Sequence, residues 1–96
     1  MYVLSDAAAK DIEQILDRSV IDFGSHQTEL YTHSLKHCLE LLGENPKLGS
    51  SADDIRSGYR RFTHESHVVF YRVTGGGVLI VRVLHKRMDI NQHIDE

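Results

Sequence analysis

The sequence holds one cysteine, one proline and no tryptophan among its 96 residues. A lone Cys38 rules out an internal disulfide and a cysteine-built zinc site, which fits a reducing cytoplasm, the compartment expected here. A single Pro46 and the lack of low-complexity stretches exclude a proline-rich spacer or a disordered chain. Long apolar runs are missing too. Pieces such as Val78-Leu79-Ile80-Val81 fall far short of the ~20 residues that cross a bilayer. The start, Met-Tyr-Val-Leu-Ser-Asp, lacks the basic region and apolar block of a secretion signal, so neither a membrane span nor a signal is expected. What remains is a globular composition, 41% hydrophobic and 26% charged, that suits one domain over residues 1–96. A chain this long hides only about 60–68% of its unfolded surface and cannot support two cores.

The net charge of −3 argues against a generic nucleic-acid binder, whose affinity comes from neutralising phosphates. That average conceals an asymmetry. Residues 1–54 carry four bases against ten acids, whereas residues 55–88 carry seven bases against Glu65 alone. A domain with one acidic and one basic half has a surface whose field can select partners.

Tyr2-Val3-Leu4 reads as a short strand, and Ser5-Asp6 as a helix start whose side chain accepts from an orphan backbone N–H. Ala8, Ile12, Ile15, Leu16 and Phe23 then fall on one helical face, with Asp11 among the polar residues off it. Gly24 reads as the stop. Ser25 opens a second helix whose stripe is Tyr31, Leu35, Cys38, Leu39 and Leu42, closed by Gly43 and Pro46. A turn of only one or two residues makes the pair a helical hairpin. Residues 45–54, rich in Ser, Gly and Asp, form a loop. Three strands are expected over Ile55–Phe62, His67–Val73 and Val78–His85, the last two joined through Thr74-Gly75-Gly76-Gly77. The fold class is α+β: a short N-terminal strand and a two-helix hairpin packed on a mainly antiparallel sheet, β-α-α-β-β-β in two layers. Asp89-Ile90-Asn91-Gln92 has capping-box spacing and starts one last helical turn.

Several residues resemble a known family when taken together. These are Tyr2-Val3-Leu4-Ser5 with Ala8, Tyr31 with Leu35, and Asn45-Pro46 with Gly49. To them belong Ile55-Arg56-Ser57-Gly58-Tyr59-Arg60-Arg61-Phe62, His67-Val68-Val69-Phe70-Tyr71-Arg72 and Val81-Arg82-Val83-Leu84-His85-Lys86-Arg87-Met88-Asp89. The set resembles ParE toxins of the ParE/RelE superfamily across nearly the whole chain. The resemblance implies a RelE-like two-layer domain and a toxin of a type II toxin-antitoxin system, held in a hetero-oligomer by a ParD-like antitoxin. ParE-like members poison DNA gyrase by binding, so the partners implied are the gyrase A subunit or the gyrase–DNA complex, with no membrane and no sequence-specific nucleic acid. RelE-like members instead cut messenger RNA on the ribosome. No cofactor is implied in either branch.

Cleaving RNA needs cations against the phosphorane charge and a group that moves a proton. Arg61, Arg82 and His85 are the candidates for that alternative. Residues 86–96 hold no tyrosine, and an acidic chain is poorly suited to ribosomal RNA, so the binding poison is the preferred reading. Tyr59, Arg61, Tyr71, Arg72 and Arg82 are the expected antitoxin-binding residues, with Tyr59 and Tyr71 lining a groove. His85, Lys86, Arg87 and Met88, at the end of the last strand, are the expected target contacts. The plainer account of the arginines is a solvated sheet face or ion pairs with the acidic helices, at most about 1 kcal/mol each. His64 and His67 read as turn residues without a third metal ligand, Cys38 as a packed small hydrophobe, and Gly75-Gly76-Gly77 as a turn rather than a phosphate loop.

Overall fold

The computed structural model describes residues 1–93. The chain opens with strand β1, Tyr2–Leu4, and enters helix α1, Asp6–Glu44, through Ser5. Ser5 is extended, and its Oγ accepts from Ala8 N at 3.0 Å while donating to Val81 O at 2.7 Å. The cap thus also ties the helix start to the sheet.

Helix α1 is one helical span of 39 residues, interrupted at Gly24 by φ 87° and ψ 170°. Run straight, it would reach about 58 Å at 1.5 Å per residue. The molecule is only 38 Å in its longest dimension, so the helix bends back at that glycine. Thr28 Oγ1 marks the bend, donating to Gly24 O at 2.8 Å and lying 2.8 Å from Ser19 Oγ, whose hydroxyl can donate to it. The expectation of two helices joined by a separate turn is therefore matched only in part. Two arms, residues 6–23 and 25–44, meet at a single residue in a conformation open mainly to glycine. Phe23, expected on the buried stripe, lies at the tip and is 69% exposed.

Strand β1 pairs in parallel with β5, Gly77–His85, and all other pairings are antiparallel, in the order β1-β5-β4-β3-β2. The middle of the sheet is β3, Tyr59–His64, against β4, His67–Thr74. Two boundaries differ from the sequence reading. Strand β2, Ser50–Ser51, pairs with Arg61 and Arg60 inside the expected loop. Residues 55–58, expected as strand, form a turn in which Ile55 N donates to Ala52 O at 2.9 Å and Gly58 N to Asp53 Oδ1 at 2.7 Å. The last helical turn is a 3-10 helix, η1, Ile90–Gln92, whose Asp89 side chain accepts from Asn91 N.

The main core lies between α1 and the sheet. Ala8, Cys38, Leu39 and Leu42 meet Val69, Tyr71, Val78, Ile80 and Val83 there, each side chain contributing up to about 1.5–3 kcal/mol on burial. On the opposite sheet face, Phe70, Leu84 and Ile90 form a smaller cluster with Ile55 and Val68. Among the described residues no helix is long and apolar enough to cross a membrane.

Candidate functional site: the open sheet face

Residues paired directly across an antiparallel ladder point to the same face. The register pairs Tyr59 with Arg72, Arg61 with Phe70, and Phe70 with Arg82. Tyr59, Arg61, Phe70 and Arg72 thus share the face turned away from α1, and Arg82 leaves the sheet on that side but reaches round the edge of β5 to Asp11 of α1. A bulge is what permits it. Phe70 pairs with Arg82 and Tyr71 with Ile80, so Val81 is the extra residue, and Ile80 faces the helices while Arg82 faces away.

Tyr71 does not join this face. It is fully buried under α1, and its hydroxyl accepts from Gly49 N at 2.9 Å and donates to Pro46 O at 2.8 Å. This corrects its expected place on a groove, because a side chain without exposed surface offers nothing to an incoming partner. Tyr59 is also buried, on the open side, where its backbone bonds to Ala52 N and Arg56 O. It too offers little surface to a partner.

The three arginines differ in their state. Arg82 is the most enclosed, with Nε and Nη2 each 2.7 Å from the two oxygens of Asp11. Their side chains are only 17% and 10% exposed. Asp11 Oδ2 also accepts from Val83 N at 3.0 Å, and Arg82 Nη1 donates to His93 O. Beyond Leu4, where β1 stops, Ser5 and Asp11 therefore satisfy the free edge of β5. Arg61 makes a more exposed pair with Asp54 at 2.7 Å. Arg72 is exposed and enters no ion pair among the described residues. Arg60, on the helix side, donates to Gly49 O and Lys47 O and braces the loop that Tyr71 also holds.

Sequence reasoning missed Asp11 and placed it off the apolar stripe. The signal was its spacing of three from Ala8 and four before Ile15, which puts it at the border of the buried face.

At the far end of β5, His85 pairs with His67 on the helix side of the sheet, the side that Val69 and Val83 occupy. Lys86, Arg87 and Met88 follow in an exposed turn, Met88 at 51% exposure. Arg61 and Arg82 stand on the opposite side, so the three residues of the nuclease alternative do not converge on one point. The Asp11 carboxylate also occupies the cation that Arg82 would offer to a phosphorane. Tyr31 Oη lies 2.8 Å from His67 Nδ1. Burial, helped by Glu65 and Cys38, pushes the Tyr31 phenol up to about 12. His67 is held below the usual imidazole range by burial first, then by His85 and His64. Among the described residues, no group of three or more His, Cys, Asp or Glu is placed to hold a metal.

The chain is a two-layer α+β domain whose sheet carries arginines on the face turned from α1. The family described as "ParE toxin of type II toxin-antitoxin system, parDE" matches residues 2–90. The chain is 43% identical over 94 residues to Toxin ParE1 of Mycobacterium tuberculosis (strain ATCC 25618 / H37Rv), covering 97% of this chain and 96% of that protein. It is 40% identical over 93 residues to Toxin ParE1 of Caulobacter vibrioides, with the same coverage. The chain therefore belongs to the ParE toxin family. The solved structure "Chromosomal ParDE TA system from P. aeruginosa" shares the fold, with a TM-score of 0.75, 21% identity, and coverage of 88% of this chain and 92% of that one.

Proposed function

We propose that this toxin acts by binding DNA gyrase, stabilising the cleaved gyrase–DNA complex, and that a ParD-like antitoxin neutralises it on the open sheet face. Arg72 is the observation that carries the antitoxin half of this reading. It stands exposed and outside the ion pairs of the described residues, whereas Arg61 and Arg82 already hold carboxylates of their own chain. A disordered antitoxin segment that carries acids fits such a surface, folding as it binds. The exposed turn of Lys86, Arg87 and Met88, with His85 behind it, is the proposed target contact. No enzymatic step is assigned to the chain.

Two measurements test the reading. Arg72→Glu should weaken binding to the co-encoded antitoxin about tenfold or more, with the unfolding midpoint unchanged; equal affinity removes the open face as the antitoxin site. Inducing the toxin alone in growing bacteria should depress thymidine incorporation before methionine incorporation. The opposite order would replace gyrase with the ribosome.

A further inference from the structure

The end of the sheet nearest the second helical arm holds a row of histidines that the open face does not use. His64, His67 and His85 are register-paired across three successive strands. From the helix, Tyr31 Oη lies 2.8 Å from His67 Nδ1, and Ser34 Oγ lies 2.8 Å from His64 Nε2. The His67 and His85 rings meet edge-on, 5.7 Å between centroids at 84°. His85 then passes the series on, because its Nδ1 accepts from the backbone N of Arg87 at 3.2 Å.

That last bond depends on protonation. The turn after β5 is held by Lys86 N donating to Ser66 O and by Met88 N donating to His85 O, both at 2.9 Å, besides Arg87 N on the imidazole. The first two bonds use carbonyl acceptors, which keep their lone pairs at any pH. The third uses a ring nitrogen, and an imidazolium has none left to offer.

We propose that His85, backed by His67 and Tyr31, is a proton-operated latch on the Lys86–Met88 turn, closed when the imidazole is neutral and open when it is charged. His67 of β4 packs against the His85 ring, His64 of β3, Glu65 and Tyr31 of α1 surround His67 in turn, and Lys86 and Arg87 are the charged neighbours of His85 itself. His67 is the wall against which the His85 ring packs, and its burial disfavours a charge there. Imidazole is the side chain whose protonation is most readily changed between about pH 5 and 8. The latch rests on local hydrogen bonding alone and stands apart from what the turn binds.

The test follows solvent exchange of the Arg87 amide by NMR on the full chain between pH 7.5 and 5.5, corrected for intrinsic exchange. In the unsubstituted protein, protection should fall about fivefold across that range, the share of one ordinary hydrogen bond. His85→Asn places a non-titrating carbonyl oxygen where Nδ1 stands and should keep Arg87 protected at both pH values. His85→Phe keeps a ring against His67 but removes the acceptor, and should leave Arg87 unprotected throughout. Protection at Val69 and Val83 should not change, reporting an intact sheet. A pH-independent Arg87 in the unsubstituted chain overturns the latch, and so does a His85→Asn variant that loses protection as the parent does.

Discussion

Removing the carboxylate of Asp11 decides whether Arg82 is first a binding residue or first a structural one. Asp11→Ala strips both guanidinium bonds at 2.7 Å and leaves Val83 N without its acceptor. With side-chain exposures of 17% and 10%, water cannot replace what is lost. Breaking such an enclosed pair by removing one partner costs about 3–5 kcal/mol, because a charge is stranded in a poor solvent. A domain of this size has only about 5–15 kcal/mol in total. The expected shift is therefore about a fifth or more of the stability, or roughly 12–40 °C in midpoint at about 4–8 °C per kcal/mol. Urea unfolding followed by circular dichroism at neutral pH measures it. Asp54→Ala, which breaks the exposed pair with Arg61, serves as the internal reference at about 0.2–1 kcal/mol. Asp11→Asn should fall between the two, since an amide oxygen can still accept from Val83 N. If Asp11→Ala and Asp54→Ala lie within about 1 kcal/mol of each other, enclosure does not govern these pairs, and the structural account of Arg82 fails.

The remaining predictions are smaller. Tyr71→Phe removes the hydroxyl that serves the buried Gly49 N and the half-buried Pro46 O, and should cost about 1–3 kcal/mol by urea unfolding; a loss under about 0.5 kcal/mol would mean that water takes its place. Gly24→Ala meets no atom within 4 Å, so its cost is backbone strain alone, about 1–3 kcal/mol at φ 87°; a neutral result would show the arms joined in another conformation. His67 has a folded pKa below its unfolded value, so the unfolded chain takes its proton first as pH falls. Its contribution to stability is complete above about pH 6.5 and is lost as pH descends from there through the folded value, a slope that His67→Gln should flatten. A double change, Lys86→Glu with Arg87→Glu, should abolish growth arrest while leaving antitoxin affinity within about threefold, and retained arrest would remove the turn as the target contact.

The strength of periodic signals decided which parts of the fold were legible beforehand. Two helical stripes, the glycine at their junction and the valine-rich strands β4 and β5 each carry several residues that agree, so architecture and order followed. Strand β2 has only two residues, Ser50 and Ser51, and exists through backbone pairing that no side-chain pattern announces. Ile55 and Tyr59 look like strand residues, yet Asp53 draws in Gly58 N, and Gly58 takes φ 85°, so the chain turns between them. Tyr71 was misplaced for a different reason. Strand β4 is apolar on both faces, so composition cannot say which side meets the helices, and only the packing of α1 on the assembled sheet settles it. The arginines could be found by type, but their separation into paired and unpaired was not readable, because Asp11 is 71 residues away from Arg82.

That separation changes the meaning of the charge asymmetry. The acids of the first 54 residues and the bases that follow look, as a list, like two opposed surfaces. In the fold, Asp11 and Asp54 from the acidic part hold Arg82 and Arg61 from the basic part, so much of the asymmetry is spent within the molecule. The cations left outside such pairs and exposed include Arg72 at one end of the sheet and Lys86 with Arg87 at the other. Arg72 pairs with Leu79, and Lys86 lies seven residues further along the β5 direction. At about 3.3 Å per residue, some 23 Å separate the two ends. A single contact cannot span that distance. An antitoxin segment that covers both ends must extend along the sheet, whereas one seated at Arg72 alone would have to stop the toxin without touching its proposed target turn. Each loss seen separately, of antitoxin binding on Arg72→Glu or of growth arrest on the Lys86 and Arg87 double change, therefore reports on a different end of the same face-and-turn surface.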